Sequence, residues 1–243
     1  CAAALREGGY SRAITLIGDD CALPYNRPPL SKGFLSGDIE SETLLLRSES
    51  FYTQSDINLI LGRRACAIDR ATHTLLLDDG RRLSYETLVL ATGTHHRPWP
   101  TADMPEHVHR LKTLSEAKKL LQAVHSIPGP VVVIGGGYIG LEIASTLRTK
   151  YAREVHVIES APRLLMRAAS PELATFITQR HKLADTHIHT GIQVSTLNAT
   201  AGALSSITLS DGTVIEAGLA VIGIGVLPNQ AIAQAAGLEC QDG

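Results

Sequence analysis

The segment that most limits what this chain can be is Gly135-Gly-Gly137-Tyr-Ile-Gly140, which follows the wholly apolar run Val131–Ile134. A G-x-G-x-x-G spacing alone is weak. Here an apolar strand precedes it, a helical stretch over 141–149 follows, and an acid, Glu159, stands after the next apolar run at 155–158. That order is the fingerprint of a strand–loop–helix unit that binds a dinucleotide. Gly135 permits the tight turn, Gly137 lets the backbone approach a pyrophosphate, and Gly140 lets helix and strand pack closely. Tyr138 and Ile139 ride in the same loop, so the stretch from Gly135 to Gly140 is expected at the cofactor. The diphosphate would sit on free N–H groups at the positive end of the helix dipole.

Glu159 bears on which dinucleotide. A carboxylate at this strand end can accept hydrogen bonds from both adenosine ribose hydroxyls. A 2′-phosphate would meet like charge, at about 4 kcal/mol per unit pair ~4 Å apart in an effective dielectric near 20. NAD is therefore expected over NADP, with Arg163 and Arg167 the nearby cations that soften the choice unless they lie on a solvated face.

The same plan is written twice. A short apolar strand at 13–17 ends in Gly18-Asp19, as the later one ends in Glu159. Leu77-Asp-Asp-Gly80 leads to an apolar strand ending at Ala91-Thr-Gly93, and Leu209-Ser-Asp-Gly212 leads to one ending at Gly223-Ile-Gly225. Each Asp-Gly predicts a hairpin turn. The shared order of strand, acid, hairpin and strand–glycine predicts two homologous domains. Pro98, Pro100 and Pro105 place the join near 100–112. The expected layout is 1–110, 111–228, and a return toward the first domain over 229–243.

Composition narrows the class. The chain has 243 residues, 19% of them charged, and a net charge of −2, which disfavours a nucleic-acid or membrane-surface binder. The four cysteines are scattered with no C-x-x-C pair, as reduced cytoplasmic thiols would be. The most apolar stretch carries three consecutive glycines and Glu142, so no membrane span is expected. Cys1-Ala-Ala-Ala-Leu-Arg-Glu-Gly-Gly reads as a helix tail capped at Gly8 or Gly9. The chain is accordingly expected to be a piece of a longer protein, with weak FAD binding of its own.

With these motifs in order, the chain resembles the NADH-dependent FAD ferredoxin and rubredoxin reductases that feed oxygenase systems. The resemblance runs through Leu23-Pro-Tyr-Asn-Arg-Pro-Pro-Leu-Ser-Lys32, the glycine loop to Glu142, Ala91-Thr-Gly93, and Gly223-Ile-Gly225-Val-Leu-Pro-Asn229. It covers essentially the whole chain. It implies an α/β fold of two tandem Rossmann-like dinucleotide-binding domains, glutathione-reductase-like and cut short at both ends. FAD would lie in the first domain and NAD(H) in the second. The resemblance places Asp19 at the FAD ribose, Arg27 and Lys32 at the FAD, Ala65 at the adenine, and Thr92 and Gly93 along the FAD site. Lys112 stands where the family usually has an FAD-contacting arginine, keeping the charge and losing the planar fork. Tyr138 would cover the flavin ring, Glu142 would pair with Lys32 beside it, and Gly225 would contact NAD. A lysine there stabilises negative charge on a reduced ring, and needs a partner if it is desolvated.

The implied reaction is hydride transfer from NADH C4 to flavin N5, followed by single electrons to a ferredoxin or rubredoxin carrier. Alignment matters more than acid–base groups for that step, so no catalytic triad is expected. A disulfide reductase would need two cysteines where this chain has Arg27-Pro-Pro-Leu-Ser-Lys32, and Cys21 stands alone. Relatives reducing oxygen, peroxide or nitrite, and NADH-sensing proteins like the apoptosis-inducing flavoproteins, are the other readings. His187 and His189 share one strand face, as would His107 and His109 if extended. No third ligand is suggested near either pair, and no metal site is expected.

Overall fold

The computed structural model describes residues 1–101 and 103–243; Ala102, within the expected join, lies outside them. The chain divides into two compact units. One comprises Cys1–Asn26, Leu44–His95 and Leu227–Gly243; the other comprises Arg27–Thr43 and His96–Val226.

In the larger unit a five-stranded parallel sheet runs in the order Thr186–Thr190, Val155–Glu159, Val131–Ile134, Leu219–Ile222, Val108–His109. All four residues of Val131–Ile134 and of Leu219–Ile222 are buried. Interior strands of a parallel sheet are covered on both faces, which is why these runs are apolar without alternation. Helix Leu114–Ser126 begins in a capping box between Thr113 and Glu116, and helix Pro171–Leu183 begins on Ser170 with proline in its first turn. Helix Tyr138–Tyr151 opens at the glycine loop. An antiparallel sheet of Val194–Thr200, Ala203–Leu209 and Val214–Glu216 packs Leu204, Ile207, Leu209 and Ile215 with Val132, Ile134, Ile158 and Ile222 in one apolar cluster.

Segment 27–43 belongs to this unit and lies on helix Tyr138–Tyr151. Its two prolines set the backbone of the short 3-10 turn Pro28–Ser31. Thr146 Oγ1 donates to the Ser31 carbonyl at 3.0 Å, and Tyr151 Oη to the Leu35 carbonyl at 2.6 Å. Leu35 is fully buried, which contributes roughly 1.5–3 kcal/mol. The exposed Lys150–Asp38 pair contributes at most about 1 kcal/mol. Apolar burial, more than charge, holds the segment down.

In the other unit, strands Ile14–Gly18 and Ile57–Leu61 pair in parallel from Ile14–Ile57 to Gly18–Leu61. Ala65–Asp69, Thr74–Leu77 and Arg82–Ser84 form an antiparallel sheet. Helix Ala2–Glu7 ends at Gly8, and Gly9 takes a positive φ of 83°.

The two Asp-Gly turns are built alike. The Leu77 amide donates to Arg81 and the Gly80 amide to Leu77, just as Leu209 donates to Thr213 and Gly212 to Leu209. Gly80 and Gly212 have φ of 85° and 87°. Both are therefore three-residue hairpin loops with a left-handed glycine, and Asp79 and Asp211 each accept from the amide two residues on.

The strands after the hairpins differ. Leu219–Ile222 sits beside Val131–Ile134 in the parallel sheet. The strand expected to end at Gly93 is not formed: residues 88–93 are irregular, Val89 is 62% exposed, and the chain turns extended only at Thr94–His96. A strand exists only if a neighbour takes its hydrogen bonds. Among the described residues of this unit, no strand plays for 88–93 the part that Val131–Ile134 plays for Leu219–Ile222.

Candidate functional site

Gly135, Gly137 and Gly140 of the glycine loop each have a separate reason. Gly135 has φ of 115°, and a side chain there would run into the carbonyl of Gly223. A methyl on Gly140 would run into the carbonyl oxygen of Gly135 and press on Val133. Gly137 has open space around the direction a Cβ would take, and it is the N-cap of helix Tyr138–Tyr151 with no side-chain cap bond. A side chain on Gly136 would meet the Leu164 side chain, so the loop is tight against its own protein at three glycines and open only at Gly137.

Glu159 ends its strand one position beside the loop. Its Oε2 accepts from the Gly136 amide at 2.7 Å and its Oε1 from the Ala161 amide at 2.8 Å. Each carboxylate oxygen has two lone pairs, so acceptor capacity is left. Arg163 turns its guanidinium onto the carbonyls of Leu164, Leu165, Met166 and Ala169. It ties the 164–169 loop together instead of lying on a solvated face.

Glu142 is the fifth residue of the loop helix, past the first turn where the dipole acts most strongly. What holds its carboxylate is direct contact. Lys32 Nζ lies 2.9 Å from Oε1, and the buried Ser31 hydroxyl donates to Oε2 at 2.5 Å. Lys32 also reaches the Pro28 carbonyl at 3.1 Å, its side chain half exposed. Arg27, exposed, stands at the head of the same turn. Tyr138 and Ile139 are 55% and 45% exposed. The Tyr138 hydroxyl donates to the Ala168 carbonyl at 3.0 Å. Tyr138, Leu141, Glu142, Leu165, Leu173 and Ile177 line an open, mostly apolar groove of about 230 Å³.

The Lys112 amide is bound by the Glu116 carboxylate at 2.8 Å, as is the Thr113 amide at 2.9 Å. His96 Nε2 approaches the other oxygen at 2.8 Å. Burial would push the Glu116 carboxyl up, but the His96 bond and the two backbone amides outweigh it and hold it at about 2. Gly225 has φ of 98°, and its carbonyl takes the Arg97 amide.

In the smaller unit, Asp19 follows the strand Ile14–Gly18 and pairs with Arg64 at 3.0 Å, both exposed. Ala65 begins the strand after it. Thr92 and Gly93 are strapped by Asn229, which the sequence reading gave no role. Thr92 Oγ1 donates to the Asn229 carbonyl at 2.7 Å, Asn229 Nδ2 to the Thr92 carbonyl at 2.8 Å, and the Asn229 amide to Gly93 at 2.9 Å. His95 Nδ1 meets Asn229 Oδ1 at 2.6 Å. The signal was available, since Asn229 closes the motif that begins at Gly223, but its partners lie far back in the chain.

The chain is 38% identical over 244 residues to rhodocoxin reductase of Rhodococcus erythropolis, covering 100% of this chain and 56% of the relative. It is 37% identical over 245 residues to putidaredoxin reductase of Pseudomonas putida, covering 98% of this chain and 58% of that protein. The crystal structure of the covalent putidaredoxin reductase–putidaredoxin complex superposes with a TM-score of 0.95 at 37% identity, covering 100% of this chain and 59% of that one. The chain thus spans less than two thirds of the length of these relatives. No helix among the described residues is long and apolar enough to cross a membrane. The model of one family matches residues 1–243, and by that match this α/β chain with a parallel sheet belongs to the pyridine nucleotide-disulphide oxidoreductases.

Proposed function

We propose that this chain is the nucleotide-handling part of a flavoprotein oxidoreductase that draws hydride from NADH and feeds a small iron–sulfur or rubredoxin-type carrier. The carrying observation is the Lys32–Glu142 ion pair on the helix that the glycine loop opens. The relatives support it: one is named for rhodocoxin, and another is solved in complex with putidaredoxin. In this reading the layout is two tandem dinucleotide-binding domains, 1–110 for FAD and 111–228 for NAD, with 229–243 returning to the first.

The residues fit both groups. The uncapped helix start and the open side of Gly137 suit a diphosphate. Glu159 has lone pairs left for ribose hydroxyls, and Arg163, spent on four carbonyls, is no partner for a 2′-phosphate. Asp19 is an exposed carboxylate just past a strand end, as ribose recognition requires. When bound, NADH supplies a hydride and FAD accepts it, releasing electrons singly to a one-electron carrier.

The chain's own residues have the following parts. Gly135, Gly137 and Gly140 shape the loop, and the amides of Tyr138 and Ile139, in the first turn of the helix, would hold a bound diphosphate. Glu159 selects the unphosphorylated ribose. In the smaller unit Asp19, Ala65, Thr92 and Gly93 would contact FAD; in the larger, Arg27 and Lys112 would contact FAD and Gly225 would contact NAD. Lys32 places positive charge where the flavin gains negative charge, and Glu142 with Ser31 keeps that ammonium in place. Tyr138, exposed beside Glu142, would cover a bound flavin ring and move aside for the nicotinamide.

The test is anaerobic stopped-flow mixing of the flavin-loaded protein with NADH, then with a panel of ferredoxins and rubredoxins. Bleaching of the flavin by NADH in preference to NADPH, and reoxidation by at least one carrier, is expected. Failure of NADH to bleach the flavin, or of every carrier to reoxidise it, would overturn the reading.

A further inference from the structure

The parallel register of two strands assembles a group of side chains that the function above does not use. His187 pairs in register with His156 on the neighbouring strand, and His189 lies two residues further along the same face. The His156 and His187 rings stack with centroids 4.5 Å apart, and His156 and His189 with centroids 5.4 Å apart. Glu154, just before the strand, brings Oε1 to 3.1 Å from His156 Nε2. Glu154, His156 and His187 each offer a ligand atom, and the three atoms lie within 4.8 Å of one another. The expectation that no third ligand stands near the His187–His189 pair is thereby revised.

We propose that Glu154, His156 and His187 form a binding site for a late first-row divalent ion of the zinc class. Two imidazoles and one carboxylate are a donor set such ions prefer, and a tetrahedral ion then keeps one position for water. Ligands about 2.0 Å from a tetrahedral ion sit about 3.3 Å apart. Glu154 and His187 are exposed, and His187 is free to turn its ring out of the stack and aim a nitrogen lone pair at the ion, while His156, whose side chain is 13% exposed, is the fixed member.

His189 supplies the second observation. Its Nε2 lies 3.2 Å from His156 Nδ1, the nitrogen on the far side of the ring from Glu154. A neutral imidazole carries one proton. With the proton on Nδ1 and donated to His189, Nε2 presents its lone pair on the Glu154 side of the ring. His189 is thus a positioning residue of the kind that fixes the tautomer of a metal-binding histidine. The bound ion would tie the edge strand Thr186–Thr190 to Val155–Glu159.

The experiment uses untagged protein with its thiols alkylated, so that the four cysteines cannot compete. Zinc chloride is titrated calorimetrically and in thermal melts, and cobalt(II) is titrated by its visible spectrum. One equivalent should bind with micromolar affinity, raise the melting temperature, and give the intense d–d bands of a tetrahedral cobalt site. His187→Gln and Glu154→Gln, both at exposed positions, should each weaken zinc binding by at least tenfold. His189→Ala should weaken it by about ten- to a hundredfold while leaving the cobalt band positions unchanged. Absence of saturable zinc binding at submillimolar concentration, or binding untouched by His187→Gln and Glu154→Gln, would overturn the site.

Discussion

The Glu159 carboxylate accepts the amide of Gly136 at 2.7 Å, so the acid that ends one strand also closes the glycine loop that follows its neighbour. One side chain therefore carries two separable duties. As an acceptor it shapes the loop; as a charge it opposes a 2′-phosphate. Glu159→Gln keeps an acceptor and removes the charge, whereas Glu159→Ala removes both. The glutamine variant should bind NADH within a few-fold of the parent while its NADH-over-NADPH preference in kcat/KM falls roughly tenfold, about 1.4 kcal/mol. The alanine variant should lose preference and NADH affinity together. An unchanged preference in both variants would remove Glu159 from cofactor choice.

The Lys32–Glu142 pair separates chemistry from stability. Lys32 is 52% exposed and Glu142 30%, so the pair is worth at most about 1 kcal/mol to folding. Lys32→Met should leave the melting temperature nearly unmoved. In stopped-flow it should slow flavin reduction by NADH about a hundredfold, the scale seen when one preorganised charge-stabilising group is lost. Glu142→Gln should slow it less, because the Ser31 hydroxyl still holds the side chain at that position. Equal rates in Lys32→Met and parent would show the ammonium to be remote from the reacting ring.

What could be read in the residues depended on how local its cause was. The loop at Gly135–Gly140 was legible because the helix start at Gly137 and the close packing of Gly140 on Gly135 and Val133 are local, although the Gly223 carbonyl that crowds Gly135 comes from far along the chain. Strand Leu219–Ile222 and residues 88–93 read alike, yet only the first is a strand, because a neighbour's hydrogen bonds decide and no single segment encodes its neighbour. The same holds for His156, which joins His187 only through the register of two strands some thirty residues apart in the chain. Asn229 strapping Thr92 is likewise a long-range fact. Glu142 was paired with Lys32 through family resemblance, while its bond to Ser31 needed coordinates.

Two glycines of the loop should fail in opposite ways. Gly137 has φ of −83° and open space where a Cβ would stand, so Gly137→Ala should fold with a near-parental melting temperature. Its methyl would then occupy the space offered to the diphosphate, and NADH affinity should fall at least tenfold. Gly140→Ala drives a methyl into the Gly135 carbonyl. It should destabilise the protein by about 1–3 kcal/mol, as overpacking does. Melting curves and NADH fluorescence titration read the two effects. A Gly137→Ala protein that binds NADH normally would place the diphosphate elsewhere.

Glu116 makes the stability of its helix start depend on acid. Although burial pushes its carboxyl up, the His96 bond and the amides of Thr113 and Lys112 bring it from the ordinary 4.5 to about 2. Folding thus favours the ionised form. That stabilisation is on the order of 3 kcal/mol, fully present above about pH 4.5. It is lost as pH falls from there towards 2, where folded and unfolded chains bind the same proton. Glu116→Gln removes the charge at every pH. Urea unfolding of parent and variant should therefore differ most near neutrality and converge as pH drops below 4.5. A gap of constant size down to pH 3 would show that Glu116 stabilises through packing alone, and that its ionised bonds to Thr113 and His96 contribute nothing.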